Sequence, residues 1–219
     1  MDREELLKIA KPVLFNTEMV KAILEGRKTV TRRLPSSRVR DKWFDYEEYV
    51  GMVAIPGSVS LREEEFYKEY PPYAAGDYLY IRETWHKYIK RVGKGETCHL
   101  AEFYGYKASI ANSEDAHEPW KPSIHMPKEA ARLFLKVTDV RVERLQDMEE
   151  EDAIKEGIHP KMCPNCTGID CDLCSESEYT VMDEFMYLWN STIKKADLNK
   201  YGWDANPWVW VIEFEKVEV

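Results

Sequence analysis

The run Arg132-Leu133-Phe134-Leu135-Lys136-Val137-Thr138-Asp139-Val140-Arg141-Val142-Glu143 is the clearest strand in the chain, and it sits among several others. Gly76-Asp77 is a turn that opens an alternating strand, with Tyr78, Tyr80 and Arg82 on one face and Leu79, Ile81 and Glu83 on the other. His99–Tyr106 and Trp208–Phe214 read as two more, and residues 12–34 as strand, helix, turn and strand. Helices are fewer. One short polar helix or tail covers residues 1–11, Met148–Glu156 is acidic in its first turn and stopped by Gly157, and a third runs from about Tyr179 to Ile193. Residues 35–72 mix charges with aromatics around a Pro56-Gly57 turn and read as a surface excursion with short strands. A glycine-containing stretch, residues 91–97, leads into the His99–Tyr106 strand, after which a polar loop runs to Pro127. Many antiparallel-looking strands with few helices predict an α+β chain, most economically a small mixed or antiparallel β-barrel with peripheral helices.

At 219 residues, 44% hydrophobic and 32% charged, the chain has enough apolar material for the core of one globular domain. Its net charge of −9 excludes a global basic field, so any nucleic-acid contact must come from a local patch such as Lys28 to Arg40. No apolar run resembles a leader or a membrane span, which predicts a cytoplasmic protein with no membrane partner.

The densest functional signal is Glu25-Gly26-Arg27-Lys28-Thr29-Val30-Thr31-Arg32-Arg33. Leu14, Met19, Val20, Ile23 and Leu24 approximate helical spacing before it, Thr17 is placed to cap that helix, and Gly26 stands where a C-cap favours glycine. The following strand puts Lys28, Val30 and Arg32 on one face and Thr29 and Thr31 on the other. Cations beside hydroxyls fit an anion contact, a nucleophile with its activator, or a solvated basic turn.

Those residues, with Gly76-Asp77-x-Leu79-x-Ile81-Arg82-Glu83-Thr84-Trp85, Leu145-Gln146-Asp147-Met148, the acidic helix and Glu156-Gly157, resemble the ASCH domain superfamily. Trp120-Lys121-Pro122-Ser123-Ile124-His125-Met126-Pro127 and Tyr201-Gly202-Trp203-Asp204-Ala205-Asn206-Pro207-Trp208-Val209-Trp210 resemble runs in its phage and prophage members. The resemblance implies a PUA-like barrel over residues 11–219, with insertions at 35–75, 88–125 and 159–176. It implies RNA or a modified nucleoside or nucleotide as partner, bound in a cleft beside Lys28 with Arg27, Arg32 and Arg33 contacting phosphate. The superfamily includes a small bacterial N4-acetylcytidine amidohydrolase whose lysine, threonine and glutamate fall on Lys28, Thr31 and Glu156. That implies an alternative activity, amidohydrolysis of an acylated cytidine, in which Thr31 attacks, Lys28 takes its proton or holds the oxyanion, and Glu156 orients or carries protons. Some ASCH proteins cut RNA, so a ribonuclease is a further alternative.

Other residues carry their own readings. Trp85 can stack on a base with Glu83 bonding the base edge, or Trp85 can be core. His125 is either a pocket residue or a structural histidine. Trp203, Trp208 and Trp210 read as packing around the last strand, and Glu149–Asp152 as a solvated helix turn. Four of the five cysteines, Cys163, Cys166, Cys171 and Cys174, form CxxC-x4-CxxC, a spacing that supplies four thiolates to tetrahedral zinc and would staple a loop as a structural zinc site. Free thiols, a redox pair or an iron–sulfur cluster are the alternatives for them. Cys98 reads as a lone thiol.

Overall fold

The computed structural model describes residues 1–52, 62–109, 119–158 and 180–218. The chain is α+β, with a five-stranded sheet in the order β1-β3-β6-β7-β2 and a two-stranded sheet, β4-β5. Its strands are β1 (Lys11–Leu14), β2 (Val30–Arg33), β3 (Tyr78–Arg82), β4 (Trp85–Val92), β5 (His99–Tyr106), β6 (Phe134–Arg144) and β7 (Trp208–Val217). Its helices are α1 (Arg3–Ile9), α2 (Thr17–Leu24), α3 (Ser37–Met52), α4 (Glu63–Lys68), α5 (Glu150–Lys155), α6 (Val181–Thr192) and α7 (Leu198–Tyr201). The five-strand order ends at β1 and β2, and no closed barrel forms among the described strands. β1 and β3 pair in parallel, so the sheet is mixed rather than wholly antiparallel.

The described residues divide into two compact units. The first comprises Met1–Arg27, Gly76–Val137 and Glu215–Val219. Its α1 starts with a capping box: Glu5 N donates to Asp2 Oδ1 (2.8 Å) and Asp2 N to Glu5 Oε2 (3.0 Å), which satisfies two donors of the first turn. The helix buries Leu6 against Tyr80, Trp85, Met126 and Phe134. Full burial of an aliphatic side chain such as Leu6 is worth about 1.5–3 kcal/mol. α2 is capped by Asn16, whose Oδ1 accepts from Met19 N at 2.8 Å, and not by Thr17, which is the first helical residue. Gly26 follows α2 at φ +76°, the left-handed conformation that releases the chain from the helix. β4 and β5 form a hairpin in this unit, and Trp85 opens its first strand.

The second unit comprises Lys28–Ala75 and Thr138–Phe214. Its core sets Phe185 and Trp189 of α6 against Val30 of β2 and Val209 and Val211 of β7, with Leu145 and Ala153. Thr180 and Asp183 cap α6 reciprocally. Residues 37–52 and 63–68 are helices where short strands were expected. Their apolar spacing is weak, and ring packing holds them: Phe66 lies 5.3 Å from Trp43, 5.7 Å from Tyr46 and 5.0 Å from Tyr70, centroid to centroid.

Candidate functional site

Two backbone bonds set the stretch between α2 and β2. Thr29 N donates to Lys155 O at the end of α5, and Phe214 N of β7 donates to Thr29 O, both at 2.9 Å. They bring Lys28 to Glu156, the residue that caps α5. Lys28 Nζ donates to Val30 O (2.7 Å), Glu156 O (2.8 Å) and Glu156 Oε2 (2.6 Å). Glu156 Oε1 accepts from Arg32 N at 2.6 Å and lies 3.6 Å from Arg32 Nη1. Arg32 Nη2 reaches Asp152 Oδ2 at 3.0 Å and Glu143 Oε2 at 3.7 Å. The side chains of Lys28, Glu156 and Arg32 are 0%, 4% and 1% exposed, so this is an interior ion network.

Its electrostatics follow from that burial. Desolvation pulls the Lys28 ammonium below its ordinary range, contact with Glu156 opposes this, and the nearby Arg33 and Arg32 charges add to the depression. Burial likewise lowers Arg33, against the raising influence of Tyr73 and Glu156. Three acceptors surround an amine with three hydrogens, so in this arrangement Lys28 serves Glu156 and the backbone. Thr31 is buried on β2 opposite Ile212 of β7, and none of the hydrogen bonds just named reaches its hydroxyl. Lys28 and Glu156 therefore come together as expected, and Arg32, expected at a phosphate, joins them. Thr31 shares β2 with Arg32 but takes no part in the bonds just named, and Arg32 turns its charge inward to carboxylates instead of outward. Asp152, expected to be solvated, is one of those carboxylates.

The remaining expected residues lie in the first unit or outside the described residues. Arg27 holds Glu25 through Nε (2.8 Å) and Nη2 (2.5 Å). Glu83 is buried and receives Arg132 Nε and Nη2 at 2.8 and 2.9 Å, a bidentate pair that engages both carboxylate oxygens. Trp85 is 6% exposed and belongs to the core around Phe134, so its core reading is the observed one. His125 is exposed at the end of a short 3-10 turn. Cys163, Cys166, Cys171 and Cys174 lie outside the described residues. Cys98 is a free, exposed thiol.

Where β2 ends, the second unit opens a cleft that the sequence had not revealed. Its volume is about 120 Å³, and Leu34 and Pro35, the residues after β2, form part of its wall. Arg144 stacks over Trp208 with Cζ 4.3 Å from the ring centroid, and Arg40 stacks over Tyr201 at the same distance. Each guanidinium is also tethered: Arg144 Nη1 to Asn206 O (3.0 Å) and Arg40 Nη1 to Pro35 O (2.6 Å). Asn206 takes a left-handed conformation (φ 44°) at the turn into β7, and its Oδ1 accepts from Gln146 N at 2.8 Å. Lys200 adds a third cation, and Glu63 is the one carboxylate among the described lining residues; burial, and after it Glu63, holds the Tyr67 phenol above its ordinary range. Cations with flat faces on aromatic rings suit a planar, electron-rich or anionic group. Ligand pockets for drug-sized molecules span roughly 300–1,000 Å³, so a cleft this small takes one ring system or one phosphate.

Compared with protein-family models, with curated proteins and with solved structures, the chain gives no significant match.

Proposed function

We propose that the chain binds nucleic acid or a modified nucleobase, with the base or its phosphate held in the cleft of Arg40, Arg144, Lys200, Tyr201 and Trp208. The observation that carries this reading is the pair of tethered guanidiniums stacked on aromatic rings, with a third cation beside them, at a cleft of single-ring size. Under it, the resemblance to ASCH domains and their PUA-like fold extends to this chain, with the ligand at the end of β2 and not against the Lys28 amine. Titration of the protein with N4-acetylcytidine 5′-monophosphate, cytidine 5′-monophosphate and a short RNA tests it: saturable binding supports the reading, and none at low salt removes it.

A second reading rests on one specific observation, a lysine lowered by burial in contact with a glutamate and on the same stretch as a threonine. In that reading Lys28, Thr31 and Glu156 hydrolyse an acylated cytidine, which requires Lys28 to leave its three acceptors and approach the Thr31 hydroxyl. Incubation with N4-acetylcytidine, followed by absorbance, should then show deacetylation that Thr31→Val abolishes. Absence of turnover, or turnover unchanged in Thr31→Val, rejects it.

The cysteine spacing supports a separate proposal, one structural zinc held by Cys163, Cys166, Cys171 and Cys174. Elemental analysis of the purified chain should return one zinc per chain, with the metal lost in Cys166→Ser. A chain without zinc that keeps its stability in Cys166→Ser contradicts it.

A further inference from the structure

The β4-β5 hairpin carries a second feature, in the first unit and independent of the cleft. Its register pairs Tyr88 with Phe103, Lys90 with Ala101 and Val92 with His99, so these residues share one face. Rings step along that face: Trp120 to His86 (4.5 Å between centroids), His86 to Tyr88 (5.4 Å) and Tyr88 to Phe103 (5.8 Å). The ladder starts buried, with His86 4% exposed, and emerges to solvent at Tyr88 and Phe103, each 37% exposed. Opposite His86 stands Gly105, where a Cβ would lie 2.0 Å from His86 Nε2, so the ring occupies the space that only glycine leaves.

The hairpin is also locally basic. In a chain of net charge −9, residues 85–107 hold five lysines and arginines against Glu96 and Glu102, a net +3. Glu102 lies on the opposite face, where Lys87 pairs with it at 2.6 Å. Among the described strand residues, the ring-bearing face thus carries Lys90 and no carboxylate. A solvent-facing apolar stripe invites protein as well as nucleic acid, but a protein partner is not selected by stacked rings beside a lysine on a locally basic hairpin. Unpaired bases are, because every base has a π face and the phosphates between bases need cations.

We infer that the Tyr88–Phe103 face of the hairpin is a stacking platform for single-stranded nucleic acid, with Lys90 and the turn residue Lys94 meeting its phosphates. The site accepts a strand of several nucleotides, whereas the cleft accepts a single ring or phosphate.

The test is fluorescence anisotropy of a labelled twelve-nucleotide oligouridylate with wild type, Tyr88→Ala/Phe103→Ala and Lys90→Glu/Lys94→Glu. Stacking losses of this kind weaken single-strand binding by roughly tenfold or more. Loss of two phosphate contacts reduces the slope of log affinity against log salt by about 1.4. The charge variant alters only exposed side chains, so its effect is read on a folded hairpin even if the double-alanine variant is disordered. Mononucleotide binding measured on the same variants reports the cleft alone, and the inference predicts it unchanged. Oligouridylate affinity that is undetectable at low salt, or equal in wild type and both variants, overturns the inference. So does concentration-dependent self-association that Tyr88→Ala/Phe103→Ala abolishes without changing oligouridylate affinity, which would make the face a contact between copies of the chain.

Discussion

Lys28→Met is expected to destabilise the protein by about 3–5 kcal/mol, because it leaves the Glu156 carboxylate charged, buried and short of its amine partner. At roughly 2–4 °C per kcal/mol for a chain of this size, thermal unfolding should move down by about 6–20 °C. Removing the charge from both partners should cost far less. Lys28→Met/Glu156→Gln keeps an oxygen to accept from Arg32 N, so most of the lost stability returns. The pH dependence has a definite sign. The folded chain holds the Lys28 proton less tightly than the unfolded chain, whose lysine titrates near 10.5, so this group makes stability rise with pH in the window just below 10.5. That part of the rise should be missing from the double variant. Chemical denaturation of the three proteins at neutral and alkaline pH measures both effects. Equal stability of wild type and Lys28→Met would mean that the network does not hold the second unit together.

The second large effect belongs to the cleft. Trp208 lies half-buried beneath the Arg144 guanidinium at the start of β7. Trp208→Ala removes the ring that orients Arg144 and a wall on which a base can stack, so ligand affinity should fall by about 1–3 kcal/mol, the range for one base–aromatic stack. Arg144→Glu should weaken binding more than Arg144→Lys, because lysine keeps the charge but loses the flat stacked fork. If Arg144→Lys and Arg144→Glu were equally impaired, shape rather than charge would be deciding affinity.

How much of this was legible in the sequence depended on where local chemistry agreed with the final fold. β5 matches its expected span of His99–Tyr106, α5 formed where an acidic first turn and a glycine stop announced it, and α6 lies within its expected span. α3 and α4 did not announce themselves, because aromatic contacts between two segments, not a stripe along one, bury their apolar residues. β4 was hidden by its exposed outer half, where Tyr88, Ile89, Lys90 and Arg91 break apolar alternation. Thr17 yielded its capping place to Asn16 by one residue, a shift that spacing does not resolve. Lys28 and Glu156 were expected to meet and do. That Lys28 also donates to Val30 O and that Glu156 also accepts from Arg32 N was invisible, because backbone partners leave no mark in side-chain identity. The cleft was hidden for a related reason: Arg40, Arg144, Tyr201 and Trp208 are scattered along the chain, and Trp208 beside an apolar strand reads as core until its ring is seen under an arginine.

The arginine–aromatic cleft is proposed to hold a nucleobase or its phosphate. The most direct test is isothermal titration of the wild-type chain and Arg144→Glu with N4-acetylcytidine 5′-monophosphate and cytidine 5′-monophosphate at low salt. Wild type should bind at least one of them saturably and one-to-one, with affinity weakened tenfold or more in Arg144→Glu while the fold, followed by circular dichroism, is retained. Saturable binding of equal strength in the two proteins, or no binding of either nucleotide by wild type, would contradict that proposal.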